Sequence, residues 1–286
     1  MTGCVVHQSE DASEALAATA AFLSTQPVAH NVILTIMQER AAHDEPGRYW
    51  WVTTGGRVEG VALQSPHGFS ASVTPVAVDS LDALVSAMAS EVPDLPGIIG
   101  DAATVAAFAG RWTEHNGVGA APLEGQRLYR LATLRPPVDV GGRLRRATIH
   151  EIDLLVSWWR GLATDMGESP PKVGGHELLA RRIGQGEIWL WEDDDRAVSM
   201  ARLSAPAAKA VRVGFVYTPP QQRRRGYATA SVAALSAHGL ANGADECLLY
   251  TQLSNPTSNG IYRRMGYEAV GEVLAYRFSP LNQSQP

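Results

Sequence analysis

The sequence has few cysteines and no long apolar segment. Cys4 and Cys247 are its two cysteines, and neither belongs to a Cys-x-x-Cys pair of the kind that binds zinc or cycles between thiol and disulfide. This scarcity is typical of a reducing compartment, so we expect a cytoplasmic protein with Cys4 in a loose terminus and Cys247 in the core. No apolar run reaches the roughly 18–20 residues that cross a bilayer, and the N-terminus lacks the pattern of a secretory signal. We therefore expect no membrane association.

Positive charge is also scarce. The chain has 24 lysines and arginines against 29 acidic residues, and its net charge of −5 is unsuited to general nucleic-acid binding. The eight histidines are scattered without the spacing of metal ligands, which argues against a metal site. Apolar residues make up 45% of the 286 residues and charged residues 19%, which indicates a globular protein with sizeable cores.

The length predicts two domains or one duplicated unit. Paired prolines and glycines at 135–142 are typical of an exposed linker, so we expect a domain at 1–135, a linker at 136–142 and a second domain at 143–286. Both halves contain a sequence typical of a β-hairpin and end on a similar apolar strand, at 128–131 and at 275–278. The matching order favours an old duplication, with chance similarity as the alternative.

The second half alternates between helical and strand patterns. The spacing of apolar residues predicts helices at 148–165, 176–183, 227–241 and 259–265. It predicts strands at 188–192, 197–203, 211–217, 246–251 and 273–278. This alternation indicates an α/β or α+β unit.

An arginine-rich loop joins the strand at 211–217 to the alanine-rich helix at 227–241. The N-terminus of a helix presents unpaired N–H groups and the positive end of the helix dipole, which together favour a phosphate. Gly226 lets the backbone approach an anion closely, and the three arginines before it add fork-shaped donors. The arrangement predicts a phosphate-binding loop, with a solvated run of surface arginines as the alternative.

A second motif, NPTSNGIYRRMGY, starts at Asn255. Asn255 or Ser258 can cap a short helix here, and Gly266 is placed to end it. Tyr262 lies on this helix, seven residues after Asn255. In isolation such a tyrosine is more often a core aromatic than a functional residue.

Together the two motifs resemble the signatures of the GNAT acyltransferase superfamily, whose members use acetyl-CoA or another acyl-CoA. The family pattern Arg/Gln-x-x-Gly-x-Gly/Ala fits residues 223–228, and the spacing of its asparagine and tyrosine fits Asn255 and Tyr262. The resemblance covers about residues 143–280. It implies a tandem GNAT fold of the α/β (α+β) class, in which each half is a mixed, mostly antiparallel sheet flanked by helices.

The resemblance also implies roles for individual residues. The loop N–H groups hold the CoA pyrophosphate, the strand before the loop offers its backbone to the pantetheine arm, and Asn255 helps to fix that arm. The implied catalytic residue is Tyr262, which protonates the departing thiolate. The implied acetyl-CoA-binding residues are Val216, Tyr217, Thr218, Arg223, Arg224, Arg225, Gly226, Tyr227, Ala228, Thr229 and Asn255.

The implied enzyme is an N-acetyltransferase that acts on a primary amine of a small acceptor. An amine of the lysine type has a pKa near about 10.4, so it must lose a proton before or during attack. The strand at 211–216 lacks the acidic residue that many family members carry, and Gln252 stands where relatives often have Asp. Glu187, Glu192 and His238 are possible substitutes, although each is also typical of a surface residue.

The first half lacks an arginine–glycine loop between its strand at 70–76 and its helix at 79–89. We therefore expect a degenerate GNAT-like domain that does not bind CoA. Two other classes of function stay open, which are a CoA-binding regulatory or scaffold protein without turnover and a protein-modifying acetyltransferase. The sequence leaves the oligomeric state open.

Overall fold

The computed structural model describes residues 3–43, 45–167 and 174–280. The chain divides into two compact units. Unit 1 comprises Met1–Leu128, Gln252–Ser254 and Val270–Pro286, and unit 2 comprises Tyr129–Thr251 and Asn255–Ala269. No helix in the described ranges is both long and apolar enough to cross a membrane.

The first half of the chain forms β1 to β7 and α1 to α4. In chain order these elements are β1 (Cys4–Ser9), α1 (Ala12–Leu23), α2 (Asn31–His43), β2 (Arg48–Thr54), β3 (Arg57–Gln64), β4 (Ala71–Val73), α3 (Val78–Glu91), β5 (Gly97–Asp101), α4 (Ala102–Asn116), β6 (Val118–Pro122) and β7 (Gln126–Leu131). Strands β1 to β4 pair antiparallel in chain order, and β4 pairs parallel with β5.

The second half repeats this plan. Its elements are β8 (Arg143–Arg146), a 3-10 turn (Ile149–Glu151), α5 (Ile152–Asp165), α6 (Gly175–Gly184), β9 (Ile188–Asp193), β10 (Arg196–Leu203), β11 (Ala210–Tyr217), α7 (Tyr227–Ala241), β12 (Glu246–Gln252), α8 (Pro256–Met265) and β13 (Tyr267–Pro280). Strands β8 to β11 pair antiparallel, and β11 pairs parallel with β12. The expectation of a mixed, mostly antiparallel sheet flanked by helices in each half is confirmed.

The end strand of each half lies in the unit built mainly from the other half. Residues 270–280 of β13 belong to unit 1, where the strand pairs antiparallel with both β5 and β6. Residues 129–131 of β7 belong to unit 2, next to β12 in the strand order. The two similar apolar strands in the sequence are therefore exchanged between the units.

The core of unit 2 lies on both faces of its sheet, because successive side chains of a strand point to opposite faces. On β10, Ala201 joins the cluster that contains α7 and α8, and Met200 joins the cluster that contains α5 and α6. Trp158, Trp189 and Trp191 are buried in this core, and Trp159 is half-buried. Cys247 is fully buried on β12, as expected.

The structure differs from several of the sequence-based expectations. Cys4 belongs to β1, where it pairs with Thr54, and does not lie in a loose terminus. Helix α8 begins at Pro256 rather than at residue 259, because the fixed φ of a proline suits the first helical position. The linker is partly packed, since Val140 contacts the cluster of Trp191 and Tyr227.

Candidate functional site

The loop predicted to bind phosphate begins where β11 ends. Pro219 and Pro220 stop the strand, and a 3-10 turn at Pro220–Gln222 redirects the chain. The entry to the loop is held from β10, because the Ser199 hydroxyl donates a 3.0 Å hydrogen bond to the Tyr217 carbonyl. The Thr218 hydroxyl in turn donates to Ser199 Oγ at 2.9 Å. Ser199 of β10 therefore holds both the last residue of β11, Tyr217, and the first residue of the loop, Thr218.

The loop ends at Gly226, which is the N-cap of α7 and has a φ of +84°. No side chain caps this helix. Most helices satisfy their first N–H groups with a capping side chain, so the first turn of α7 keeps donors for another acceptor. The helix dipole adds partial positive charge at the same point. A phosphate group fits this arrangement.

The paired strands β11 and β12 separate next to the loop. Their ladder runs from Ala210↔Glu246 to Val213↔Leu249, whereas β11 continues to Tyr217 and β12 to Gln252. A bulge in the pairing with β10 accompanies the separation, and Phe215 in this stretch has a φ of +51°. The backbone N–H and C=O groups of β11 after Val213 therefore have no ladder partner on β12. An extended ligand needs such groups for its own hydrogen bonds.

The three loop arginines have different surroundings. Arg223 donates through Nε to the Thr218 carbonyl at 2.9 Å, forms an ion pair with Asp165 and lies over the Tyr217 ring. Arg224 and Arg225 are exposed, and neither forms an ion pair within the ranges that the structure describes. Arg223 therefore holds the loop on α5. Arg225 has a side-chain hydrogen bond with Tyr227, and the exposed guanidinium groups of Arg224 and Arg225 keep donors for an anion.

We expect a Gly226→Ala substitution to weaken acetyl-CoA binding several-fold and to lower the free energy of unfolding by about 1–3 kcal/mol. A Cβ at this position is strained by the positive φ and lies 2.8 Å from Val140 Cγ2, so the loop or the linker must shift. Calorimetry and chemical denaturation measure the two effects. Gly243→Ala is the matched control, because Gly243 has a φ of +90° and no atom within 4 Å of a built Cβ. Equal acetyl-CoA affinities in the two variants would contradict this prediction.

The second motif forms α8 and the turn before it. The Asn255 side chain is the N-cap and accepts a 3.0 Å hydrogen bond from the Ser258 N–H. Gly266 ends the helix with a φ of +98°, which is the left-handed conformation that favours glycine. Of the two expected caps the structure has Asn255, and the expected end at Gly266 is confirmed. Asn255 therefore sets where the helix that carries Tyr262 begins.

Tyr262 is 8% exposed and packs between two other aromatic rings. Its ring centroid is 6.3 Å from that of Tyr129 and 6.1 Å from that of Tyr267. Val216 contacts the same apolar cluster, so the end of β11 and Tyr262 lie at one side of the unit 2 sheet. Burial raises the pKa of Tyr262 to about 12. The hydroxyl therefore stays protonated at neutral pH, as a proton donor must be, and the raised pKa makes it a weaker acid than an exposed tyrosine.

Two of the three candidate bases, Glu187 and Glu192, are poorly suited to accept a proton. Glu187 is buried and accepts hydrogen bonds from Arg182, Arg202 and the Ala205 N–H. Burial by itself raises the pKa of Glu187, but the hydrogen bond and the charge of Arg202 outweigh it and leave the pKa below its ordinary value.

Glu192 and His238 have other surroundings. Hydrogen bonds from Arg143 and Arg145 lower the pKa of Glu192. His238 lies on α7 with its ring 4.6 Å from that of Trp189. The alternative that Glu187 and Glu192 are ordinary surface residues is wrong, because both carboxylates are buried in ion pairs with arginines.

Sequence reasoning missed the residues that support the site from a distance. These are Ser199, Asp165, Val140 and Tyr129, whose contacts with the two motifs join residues far apart in the chain. A polar serine within a strand and an aspartate at a helix end carry no local signal of such a role. Within the described ranges, no group of three or more histidine, cysteine or acidic side chains is arranged to hold a metal ion.

Comparison with known proteins gives the same assignment for the second half. The model of the acetyltransferase (GNAT) family matches residues 155–267. No curated protein matches the sequence.

Solved structures cover almost the whole chain. A tandem GNAT protein from the clavulanic acid biosynthesis pathway has a TM-score of 0.64 at 13% identity, covering 99% of this chain and all of its own. A GCN5-related N-acetyltransferase from Sphaerobacter thermophilus has a TM-score of 0.61 at 15% identity, covering 96% of this chain and 95% of its own. An acetyltransferase of the GNAT family from Colwellia psychrerythraea has a TM-score of 0.60 at 11% identity, covering 96% of this chain and 100% of its own. At these identities the likeness establishes the fold.

Proposed function

Because residues 155–267 match the model of the acetyltransferase (GNAT) family, we propose that the protein transfers the acetyl group of acetyl-CoA to a primary amine of a small acceptor. The observation that carries this proposal is the separation of β11 and β12 beside the uncapped start of α7. An unpaired strand edge suits the amide-bearing pantetheine arm, and a helix N-terminus suits the pyrophosphate. Both features lie in one continuous stretch of chain.

In this proposal the chain supplies binding and one proton. The backbone of Val216, Tyr217 and Thr218 aligns the pantetheine arm along β11. The N–H groups at the start of α7, together with Arg224 and Arg225, hold the pyrophosphate, and Asn255 fixes the start of the helix that carries Tyr262. Binding of this kind places the thioester where an amine is able to attack it.

The chemical step is a direct transfer. The neutral amine forms the N–C bond, and the C–S bond breaks with its electron pair on sulfur. Tyr262 protonates the thiolate and then recovers a proton from water. The arginines keep Glu187 and Glu192 ionised and bonded, and in this proposal the proton of the amine leaves to water.

We expect acetyl-CoA to bind once per chain and to raise the melting temperature. The residues between β4 and α3, 74–77, contain neither arginine nor glycine, so the first half has no equivalent of the loop before α7. A ligand at 100 times its dissociation constant stabilises a protein by about 2.7 kcal/mol. Thermal shift and calorimetry measure the two quantities, and two equivalent sites per chain would defeat the prediction.

Turnover is tested by release of CoA thiol with a panel of primary amines. Binding of acetyl-CoA together with thiol release in the presence of an amine supports the transferase. Binding without release by any amine favours a regulatory CoA-binding protein instead. The ion pairs that occupy Glu187 and Glu192 are the observation in favour of that second function.

A further inference from the structure

A buried tyrosine from the strand that ends the first half of the chain is bonded to the helix that carries Tyr262. Tyr129 lies on β7 and is 0% exposed. Its hydroxyl donates a 2.8 Å hydrogen bond to Asn259 Oδ1 and accepts a 3.2 Å hydrogen bond from Arg263 Nε. One oxygen atom is thus bonded to two residues of α8.

The positions of these partners on α8 decide what the bonds do. Asn259, Tyr262 and Arg263 are spaced i, i+3 and i+4, which places them on one face of the helix. The two hydrogen bonds therefore fix how far α8 is rotated about its axis. The Tyr129 ring also packs against the Tyr262 ring, with 6.3 Å between their centroids.

The same network extends to the N-terminus of α8. Asn259 Nδ2 donates a 2.7 Å hydrogen bond to the Asn255 carbonyl, and Asn255 caps the helix. Tyr129 is consequently tied to the start of α8 as well as to its middle. A core tyrosine needs none of these bonds to fill space, since phenylalanine has nearly the same shape.

We infer that Tyr129 is a positioning residue for Tyr262: by bonding to Asn259 and Arg263, it holds α8 at the rotation that aims the Tyr262 hydroxyl at the leaving sulfur. The inference rests on the proposed function, because it concerns the proton that Tyr262 gives to the thiolate. It extends that function to the first half of the chain, from which Tyr129 comes.

The test compares Tyr129→Phe with Tyr267→Phe. Tyr267 is an equally buried tyrosine whose ring also packs on Tyr262, but its hydroxyl bonds to Ser236 and Cys247 instead of α8. Steady-state kinetics should give a kcat at least fivefold lower for Tyr129→Phe, an unchanged Michaelis constant for acetyl-CoA, and a kcat within twofold of wild type for Tyr267→Phe.

A double-mutant cycle separates positioning from general destabilisation. In a Tyr262→Phe background, Tyr129→Phe should change kcat by less than twofold, because no proton donor is left to aim. The same loss of kcat in both backgrounds would overturn the inference. A kcat within twofold of wild type for Tyr129→Phe alone would also overturn it.

Two further measurements keep the result clear if Tyr129→Phe folds poorly or if turnover is absent. Arg263→Met removes one of the two bonds from an exposed position and should lower kcat in the same direction, whereas Arg264→Met next to it should not. Hydrogen exchange of the α8 amides should be faster in Tyr129→Phe than in Tyr267→Phe, and equal exchange overturns the inference. Absence of thiol release from the wild-type protein would defeat the proposed function, and the exchange measurement, which does not depend on turnover, would then still test whether Tyr129 holds α8.

Discussion

Replacing Tyr262 with phenylalanine should lower kcat by about 100-fold or slightly less, at the low end of what a general acid contributes. The ring and its contacts with Tyr129 and Tyr267 stay, so the fold and the affinity for acetyl-CoA should be unchanged. The effect is modest for a general acid because a thiolate is already a fair leaving group. Steady-state kinetics with an active amine, beside a direct measurement of CoA binding, checks both parts.

Whether the substitution changes kcat or the Michaelis constant identifies the role of Tyr262. A lower kcat with an unchanged Michaelis constant for acetyl-CoA indicates a group that acts in the chemical step. If kcat stays within twofold of wild type, Tyr262 is a packing residue, and another group or water supplies the proton. Since burial raises the Tyr262 pKa to about 12, ionisation of this group should leave no trace in a pH profile recorded below pH 10.

Replacing Arg224 and Arg225 together with alanine should raise the dissociation constant of acetyl-CoA at least tenfold. Charge-assisted hydrogen bonds to a phosphate are worth roughly 1.5–3 kcal/mol each, and exposure to water reduces this value at a loop surface. The loss of stability should be small, because both side chains are exposed and only the Arg225 hydrogen bond to Tyr227 is removed. Isothermal titration calorimetry at two salt concentrations measures the affinity and its electrostatic part.

Arg223→Ala is the informative comparison for this pair. Arg223 is bonded to the Thr218 carbonyl and to Asp165, so its loss should lower the melting temperature of the free protein. The double variant should lower affinity without this loss of stability. An unchanged acetyl-CoA affinity in the double variant would show that Arg224 and Arg225 belong to a solvated run of surface arginines and do not bind the ligand.

The two motifs were predictable because their chemistry is local. Three features of these motifs depend on residues within a few positions of one another. They are the N-cap of α7 at Gly226, the N-cap of α8 at Asn255 and the end of α8 at Gly266. Helix start and stop signals act over this range, so a sequence pattern is enough to recognise them. The predicted start of α8, residue 259, is still three residues too late, because Pro256 is the first helical position.

The supporting contacts were not predictable because they join distant parts of the chain. The hydrogen bond between Tyr129 and Asn259 spans 130 residues, and the ion pair between Arg223 and Asp165 joins residues that are 58 apart. The lowered pKa of Glu187 was not predictable from the sequence for the same reason. Its arginine partners come from α6 and β10, and their charges become neighbours only when the sheet forms.

The exchange of end strands makes the two halves of the gene inseparable. A fragment cut at the linker that keeps only the second half lacks Tyr129, and one that keeps only the first half lacks the strand that lies between β5 and β6. Neither half is therefore a module that recombination is able to move or delete by itself. The first half therefore supplies a strand segment of unit 2, whatever ligand it binds or lacks.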